Sequence, residues 1–288
     1  MTANPNEWSD WVGRSQSETD VIASAPLNGL NALLDRGRQI GSGEDVRPCA
    51  HWLYFLPFTR QSEMGEDGHP RRGGFLPPID LPRRMWAGSR IEFPGVLRVG
   101  EVATRTSTIV SIAPKAGRSG RMVFVTVRHE VAGPRGVAIR EDQDIVYRDA
   151  APTGGGAGGT KPAAVGETFS AQARRTISPT ELMLFRFSAL TFNGHRIHYD
   201  QPYATGVEGY PGLVVHGPLI ATLLLDLLLE ECPATRVRAF RFRAVAPLFA
   251  PDPFEVARAP IAGGKVELRA VSPSGATAMA AEADIADQ

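Results

Sequence analysis

The chain has 288 residues, 43% hydrophobic and 22% charged, enough apolar mass for one large domain or two ordinary ones with a sizeable core. Lys+Arg is 31 and Asp+Glu is 31, which argues against a strongly basic nucleic-acid binder and against a polyacidic tail. Its two cysteines, Cys49 and Cys232, lie far apart with no Cys/His pairing at zinc spacing, so neither a disulfide framework nor a metal site is expected.

The 30 glycines and 23 prolines predict many turns and short strands rather than a helical bundle. The polar, acidic start, MTANPNEWSDWVGRSQSETD, lacks the basic-then-apolar order of a secretory signal. Residues 28–35 (NGLNALLD) predict a short amphipathic helix. The stretch GHPRRGGFLPPIDLPRR that follows carries Arg71, Arg72, Arg83 and Arg84. Trp8, Trp11, Trp52 and Trp86 also fall in this part, where core packing and a cavity wall explain them equally well. Residues 107–112 and 122–127 are rich in Val, Ile, Thr and Phe, as strands are, and PKAGRSG between them has hairpin composition. Residues 149–167, DAAPTGGGAGGTKPAAVGE, read as a linker. The expected division is an N-terminal domain over 1–150, a linker over 151–167 and a C-terminal domain over 168–288. A long surface loop within one domain is the alternative.

Beyond the linker, residues 213–229 are the most apolar stretch, but His216, Gly217, Pro218 and Asp226 interrupt it, so it does not predict a membrane span. A soluble, cytoplasmic protein is expected. Residues 218–231 (PLIATLLLDLLLEE) predict the strongest helix, with Pro218 in its first turn and Pro233 beyond its end. Leucines surround it almost completely, which predicts burial inside a wrapped sheet. Strands follow at 238–244, 253–259, 265–271 and 277–285. AGSRIEF before the linker and APDPFEV after it look like counterparts, which suggests a duplicated antiparallel α+β unit. Arg236 and Arg238, then Arg241 and Arg243, alternate along the first of these strands. That places each pair on one face, for a ligand or simply for solvent.

Three of the six histidines, His195, His198 and His216, lie in FRFSALTFNGHRIHYDQPYATGVEGYPGLVVHGPLIATLLLD, just before the buried helix. The helix start offers amides without intrahelical partners and the positive end of a dipole. Pro218 has no N–H, so the Gly217 amide is the natural donor to a developing oxyanion, and glycine allows close approach. A histidine exchanges protons near neutrality, whereas Asn193 can orient water but cannot take its proton. Asp200 precedes QPYA and equally well caps a short helix. Together these residues point to chemistry at a carbonyl compound.

TFNGHRIHYDQPYA followed by YPGLVVHGPLIATLLLD resembles the MaoC-like hydratase/dehydratase family. More narrowly it resembles the type-2 hydroxyacyl-thioester dehydratase branch, to which itaconyl-CoA and mesaconyl-C4-CoA hydratases are close. The family loop D-x-N-P-x-H-x-D would place its Asp on Asn193, its Asn on His195, its Pro on Arg196, its His on His198 and its last Asp on Asp200. His216-Gly217 would match the turn that opens the central helix. The resemblance implies an α+β double hotdog, two antiparallel sheets each wrapped around a helix, with the catalytic unit C-terminal and the N-terminal unit contributing to the substrate pocket. Asn193 departs from the family Asp. His198 is therefore expected to carry most of the proton transfer and Asn193 to position water, with His195 in reserve for the second proton role.

The implied reaction is reversible hydration of an α,β-unsaturated acyl-CoA, with a C5 dicarboxylyl thioester first among candidates. Coenzyme A enters as part of the substrate, and no other cofactor is expected. Tyr199, Asp200, His216, Arg196, Arg241 and Arg243 are the expected substrate contacts. One of Arg71, Arg72, Arg83 and Arg84, or Arg196, would meet a free carboxylate. Partners other than the acyl-CoA, nucleic acid and membrane among them, are not expected, and a homodimer is the default for symmetric assembly. Rival readings are a dehydratase of acyl-carrier-protein thioesters, an acyl-CoA thioesterase and a non-catalytic acyl-CoA-binding protein.

Overall fold

A computed structural model describes residues 7–117, 120–149 and 169–287. The expected linker at 151–167 lies outside the described residues.

The first half runs β1 (Ser15–Val21), α1 (Ser24–Leu33), β2 (Arg83–Glu92), β3 (Val102–Gly117), β4 (Gly120–Gly133) and β5 (Gly136–Arg148). The second runs β6 (Ala173–Ile177), α2 (Glu181–Leu190), α3 (Gln201–Gly206), β7 (Leu213–Val214), α4 (Gly217–Glu231), β8 (Thr235–Ala244), β9 (Phe249–Ala250), β10 (Phe254–Arg258), β11 (Lys265–Val271) and β12 (Thr277–Asp287). Ten strands form one antiparallel sheet in the order β1-β3-β4-β5-β2-β8-β12-β11-β10-β6, and β7 pairs separately with β9. The α+β double hotdog is therefore built with its two sheets joined edge to edge.

Strand order shows the duplication directly. β1, β2, β3, β4 and β5 occupy the positions that β6, β8, β10, β11 and β12 occupy in the second half, related across the β2·β8 ladder. This corrects one sequence expectation. AGSRIEF lies in β2, whose counterpart is β8, whereas APDPFEV leads into β10, the counterpart of β3. Local similarity misled because both segments share a similar rhythm of small and apolar residues, whereas their places in the sheet differ. At the ladder centre Arg90 faces Arg241. Their like charges are separately neutralised, Arg90 by Asp144 and Asp142, Arg241 by Glu282 and Asp284.

α4 fills the concavity of the second half, with Leu219, Ile220, Leu223, Leu224, Leu227 and Leu228 buried against the sheet. Its one buried acid, Asp226, pairs with Arg36 from the first half and Arg175 from β6. α1 and α2 both follow the first strand of their halves and pack on each other, so α1 is the counterpart of α2 and not of α4. Between α1 and β2 the described chain makes only short 3-10 turns. Part of the first half's concave face is left facing a cavity instead of a helix. No helix among the described residues is long and apolar enough to cross a membrane.

Candidate active site

A cavity of about 880 Å³ opens between the halves. From the second half, Asn193, His195, His198, Tyr199 and Gly217 line it. From the first come His69, Arg84, Trp52, Trp86, His129 and Glu141. Trp8 and Trp11 instead pack on the apolar cluster of Val123, Val125, Val127 and Tyr147.

The loop that carries His198 begins where α2 ends. Phe192 takes a left-handed conformation (φ 47°), which costs an aromatic residue roughly 1–3 kcal/mol. The Asn193 amide then closes on Ser188 O at 2.8 Å. Asn193 Oδ1 accepts the His195 backbone N–H at 3.0 Å. That acceptor is spent inside the loop, so Asn193 faces the cavity with only its N–H donors free. It can hold a water or a carbonyl by donating, and it cannot relay a proton.

His198 is 7% exposed. Its Nδ1 donates to the carbonyl of Val214 at 2.7 Å. This fixes the tautomer and leaves Nε2 as an unprotonated acceptor. Burial pushes its pKa down to about 4, against the pull of the Val214 hydrogen bond and with help from nearby His69. The ring is therefore neutral at pH 7, as a base must be. Behind it stands His216, 0% exposed, stacked with a centroid separation of 3.7 Å and an interplanar angle of 18°. His216 Nε2 meets Ser188 Oγ at 2.8 Å, and burial holds its pKa well below the usual range. His216 is thus not a substrate contact, as expected from sequence, but the support that orients His198.

The residue after His216 opens α4. The Gly217 amide finds no acceptor among the described residues. A Cβ at this position would meet only Met279 Cε, at 4.0 Å. An oxyanion can approach the amide unobstructed, with the helix dipole behind it.

The first half closes the site from above. Gly68, at φ +83°, sits so close to the loop that a Cβ would lie 1.8 Å from Gly194 O. The Arg196 backbone N–H donates to Asp67 O at 2.9 Å, and Arg196 Nη1 donates to Glu66 O at 2.9 Å. This docking sets the His69 ring 4.0 Å from His195, whose ring lies edge-on 5.3 Å from His198. His69 Nδ1 donates to Asp67 Oδ2 at 3.0 Å. Burial lowers the pKa of His69 in spite of that bond, and burial followed by the nearby His69 lowers that of His195 far more. One donor atom each from Asp67, His69 and His195 lies within 4.8 Å of the others. Asp67 and His69 already satisfy each other, however, and the positive field of Arg84 reaches all three.

The first-half wall of the cavity mixes apolar side chains, Trp52, Phe55, Phe75 and Trp86 among them, with a buried polar cluster. Glu141 accepts from His51 Nε2 at 2.8 Å, Trp52 Nε1 at 2.9 Å and Ser89 Oγ at 2.6 Å. Burial alone would raise its pKa, but these bonds and the nearby His51 and His129 bring it down to about 2. His129 bonds Ser107 Oγ at 2.8 Å and Gln143 Oε1 at 3.1 Å. His69, Asp67, His51, His129 and Glu141 were not singled out from the sequence. Their isolated positions carry no motif, and only strand register and the docked loop bring them to the site.

Several expected contacts are elsewhere. Asp200 caps α3, accepting the Tyr203 amide at 3.1 Å, and pairs with Arg196. Arg196 is spent on Asp200 and Glu66 O and lies over the Tyr203 ring at 4.1 Å. Neither lines the cavity. Arg241 is ion-paired on the solvent face of β8, and Arg243 is exposed on that face. A register shift opposite the middle of β8 keeps Arg236, Arg238, Arg241 and Arg243 all outward although their parity changes. The alternation thus marks a solvated strand face. Tyr199 sits half-exposed at the cavity edge, its hydroxyl donating to Gly194 O at 3.0 Å.

Comparison with known proteins matches residues 49–250 to the model of a family described as hydroxyacyl-thioester dehydratase type 2. The chain is 44% identical over 280 residues to mesaconyl-C(4)-CoA hydratase of Chloroflexus aurantiacus, covering 97% of this chain and 98% of that one. It is 24% identical over 274 residues to the mitochondrial hydroxyacyl-thioester dehydratase type 2 of Schizosaccharomyces pombe, covering 82% and 87%. Among solved structures, a MaoC-like dehydratase of Phytophthora capsici superposes with a TM-score of 0.65 at 14% identity over 97% of this chain and 99% of that one. A Mycobacterium tuberculosis protein described as a double hotdog superposes with a TM-score of 0.55 at 13% identity, over 96% of each chain.

Proposed function

The chain belongs to the hydroxyacyl-thioester dehydratase type 2 family, and from that premise we propose that it is a hydro-lyase that adds water reversibly across the α,β double bond of an acyl-CoA. The observation that carries the reading is that a neutral histidine with its Nε2 free and an unpartnered helix-opening amide line one cavity. The thioester oxygen accepts from Gly217 N–H, which stabilises the enolate as charge develops. His198 Nε2 takes one proton from water while the water oxygen bonds to the β-carbon. The imidazolium, acidic because it is buried, returns that proton to the α-carbon. The OH and the H added to the double bond account for the whole water molecule, and the enzyme is restored. Asn193 donates to the water or the thioester oxygen.

The first substrate proposed is a C5 dicarboxylyl thioester, mesaconyl-C4-CoA ahead of itaconyl-CoA. The 44% identity to a mesaconyl-C(4)-CoA hydratase supports it, and Arg84, Arg105, His129 and Gln143 place polar groups in the first-half lining where a carboxylated acyl group can be met. Steady-state assays with mesaconyl-C4-CoA, itaconyl-CoA and crotonyl-CoA test the proposal. Loss of enoyl absorbance without release of free thiol is expected, fastest with mesaconyl-C4-CoA. Thiol release would instead identify a thioesterase, and binding without turnover a carrier.

A further inference from the structure

Three arginines line the cavity, and they are not equivalent. Arg105 pairs with Glu18 and donates to Phe55 O. Arg148 faces Arg83 across the β2·β5 ladder, one residue along from the Arg84–Tyr147 pair, so it projects from the opposite face of the sheet to Arg84. Arg84 is half-buried and has no carboxylate at ion-pair distance among the described residues. With only the field of Asp67 and the Tyr147 hydroxyl beside it and no carboxylate paired to it, this guanidinium gains from a ligand that brings one.

Arg148 leaves its buried Nε without a partner, but the other arginines that the sequence offered for a carboxylate are engaged. Arg71 lies outward and reaches Met64 O, and Arg72 donates to Ile79 O and Pro82 O. Arg83 pairs with Glu208 at 3.1 Å, and Arg196 pairs with Asp200 at 2.7 Å. Arg84 lines the same cavity as His195 and His198. Its charge acts on His195 and His69, and His195 is the ring that touches His198 edge-on. Chemistry asks for a cation at that place. In a mesaconyl C4 thioester the free carboxylate is bonded to the β-carbon that water attacks. The carboxylate must therefore lie within one side chain of the base.

We propose that Arg84 is the specificity-determining residue of the site, receiving the free carboxylate of a dicarboxylyl-CoA next to the β-carbon. The assignment rests on the hydratase reading above, and one arm of its test does not depend on turnover. In Arg84→Met, the ratio of kcat/KM for mesaconyl-C4-CoA to that for crotonyl-CoA should fall about 10²-fold, the range for removing one partner of a buried charge pair. Arg84→Lys should recover part of the ratio, because a point charge replaces the planar fork. An unchanged ratio, or an equal fall for both substrates, overturns the assignment.

The second arm measures binding of succinyl-CoA and butyryl-CoA, which have no double bond to hydrate. The wild type should prefer succinyl-CoA, and Arg84→Met should lose that preference while still binding butyryl-CoA, which also shows that it is folded. A preference kept by the variant, or absent from the wild type, counts against Arg84. Should the wild type hydrate neither enoyl thioester, the hydratase reading falls and the saturated pair still decides the role of Arg84.

Discussion

His198 and Gly217 carry the proposed chemistry on very few atoms. Val214 O holds one imidazole nitrogen and His216 backs the ring, so Nε2 is presented to the cavity in one tautomer. His198→Gln keeps much of the shape but cannot accept and return a proton, and kcat should fall about 10²–10⁴-fold. Initial-rate measurements check this, with circular dichroism to confirm that the fold is kept. Because burial puts the pKa of His198 at about 4, kcat/KM should stay level from pH 8 to about pH 5. Below about pH 4 it should fall tenfold per unit as the base becomes protonated. An acid limb centred near 6.5 would mean an ordinary, solvated histidine. At Gly217 a side chain meets almost nothing of the protein. Gly217→Val should therefore fold normally while hindering approach of the thioester oxygen, which appears as a loss of kcat/KM with little change in Tm.

Among the elements, α4 and the loop docked over the catalytic loop carry the most information. α4 is apolar almost all round, yet Asp226 is buried in it and gathers Arg36 and Arg175 from opposite halves. Removing the acid strands those cations. Asp226→Leu should lower the unfolding free energy by about 3 kcal/mol or more, whereas Glu230→Gln, on the half-exposed rim of the same cluster, should cost less than about 1 kcal/mol. Denaturant titration of the two variants separates these outcomes. Gly68 presents a different kind of constraint. An alanine there would have to displace Gly194, and with it the loop that holds Asn193, His195 and His198. Gly68→Ala should reduce kcat more than it reduces Tm.

Legibility at this scale followed periodicity. The α4 pattern, and the strand at Lys265–Val271, could be read from residue order alone because burial imposes a repeat on consecutive residues. The pairing of AGSRIEF with β8 could not, because strand partnership depends on topology. The motif TFNGHRIHYDQPYA marked the site but not the work of each member. Asp200 and Arg196 satisfy each other, and His216 supports a ring instead of touching a ligand.

As a whole molecule, the protein withdraws its histidines, wholly or in part, from solvent. His69, His129, His195, His198 and His216 all have pKa values lowered, burial being the first cause in each. The unfolded chain protonates such groups near 6.5. As pH drops below that value the unfolded state takes up protons that the folded state refuses, and stability declines. For His198 the contribution is intact above about 6.5 and is lost progressively down to about pH 4. Tm measured from pH 8 to pH 5 should therefore stay nearly level at first and then fall steadily. A Tm that rose on acidification would show that these imidazoles accept protons in the folded state.

Sequence by itself determined the strand-rich class, the wrapped leucine helix, the family and the histidine-bearing loop beside the helix start, because each is encoded in neighbouring residues that share one local environment. Tertiary structure alone decided that the first half leaves part of its concavity open, that Asp67–His69 docks on the second half's histidine loop while Arg84 joins the same cavity, and that the β8 arginines face solvent. These outcomes depend on which strands become neighbours and which charges find partners across the fold, and no stretch of consecutive residues records either.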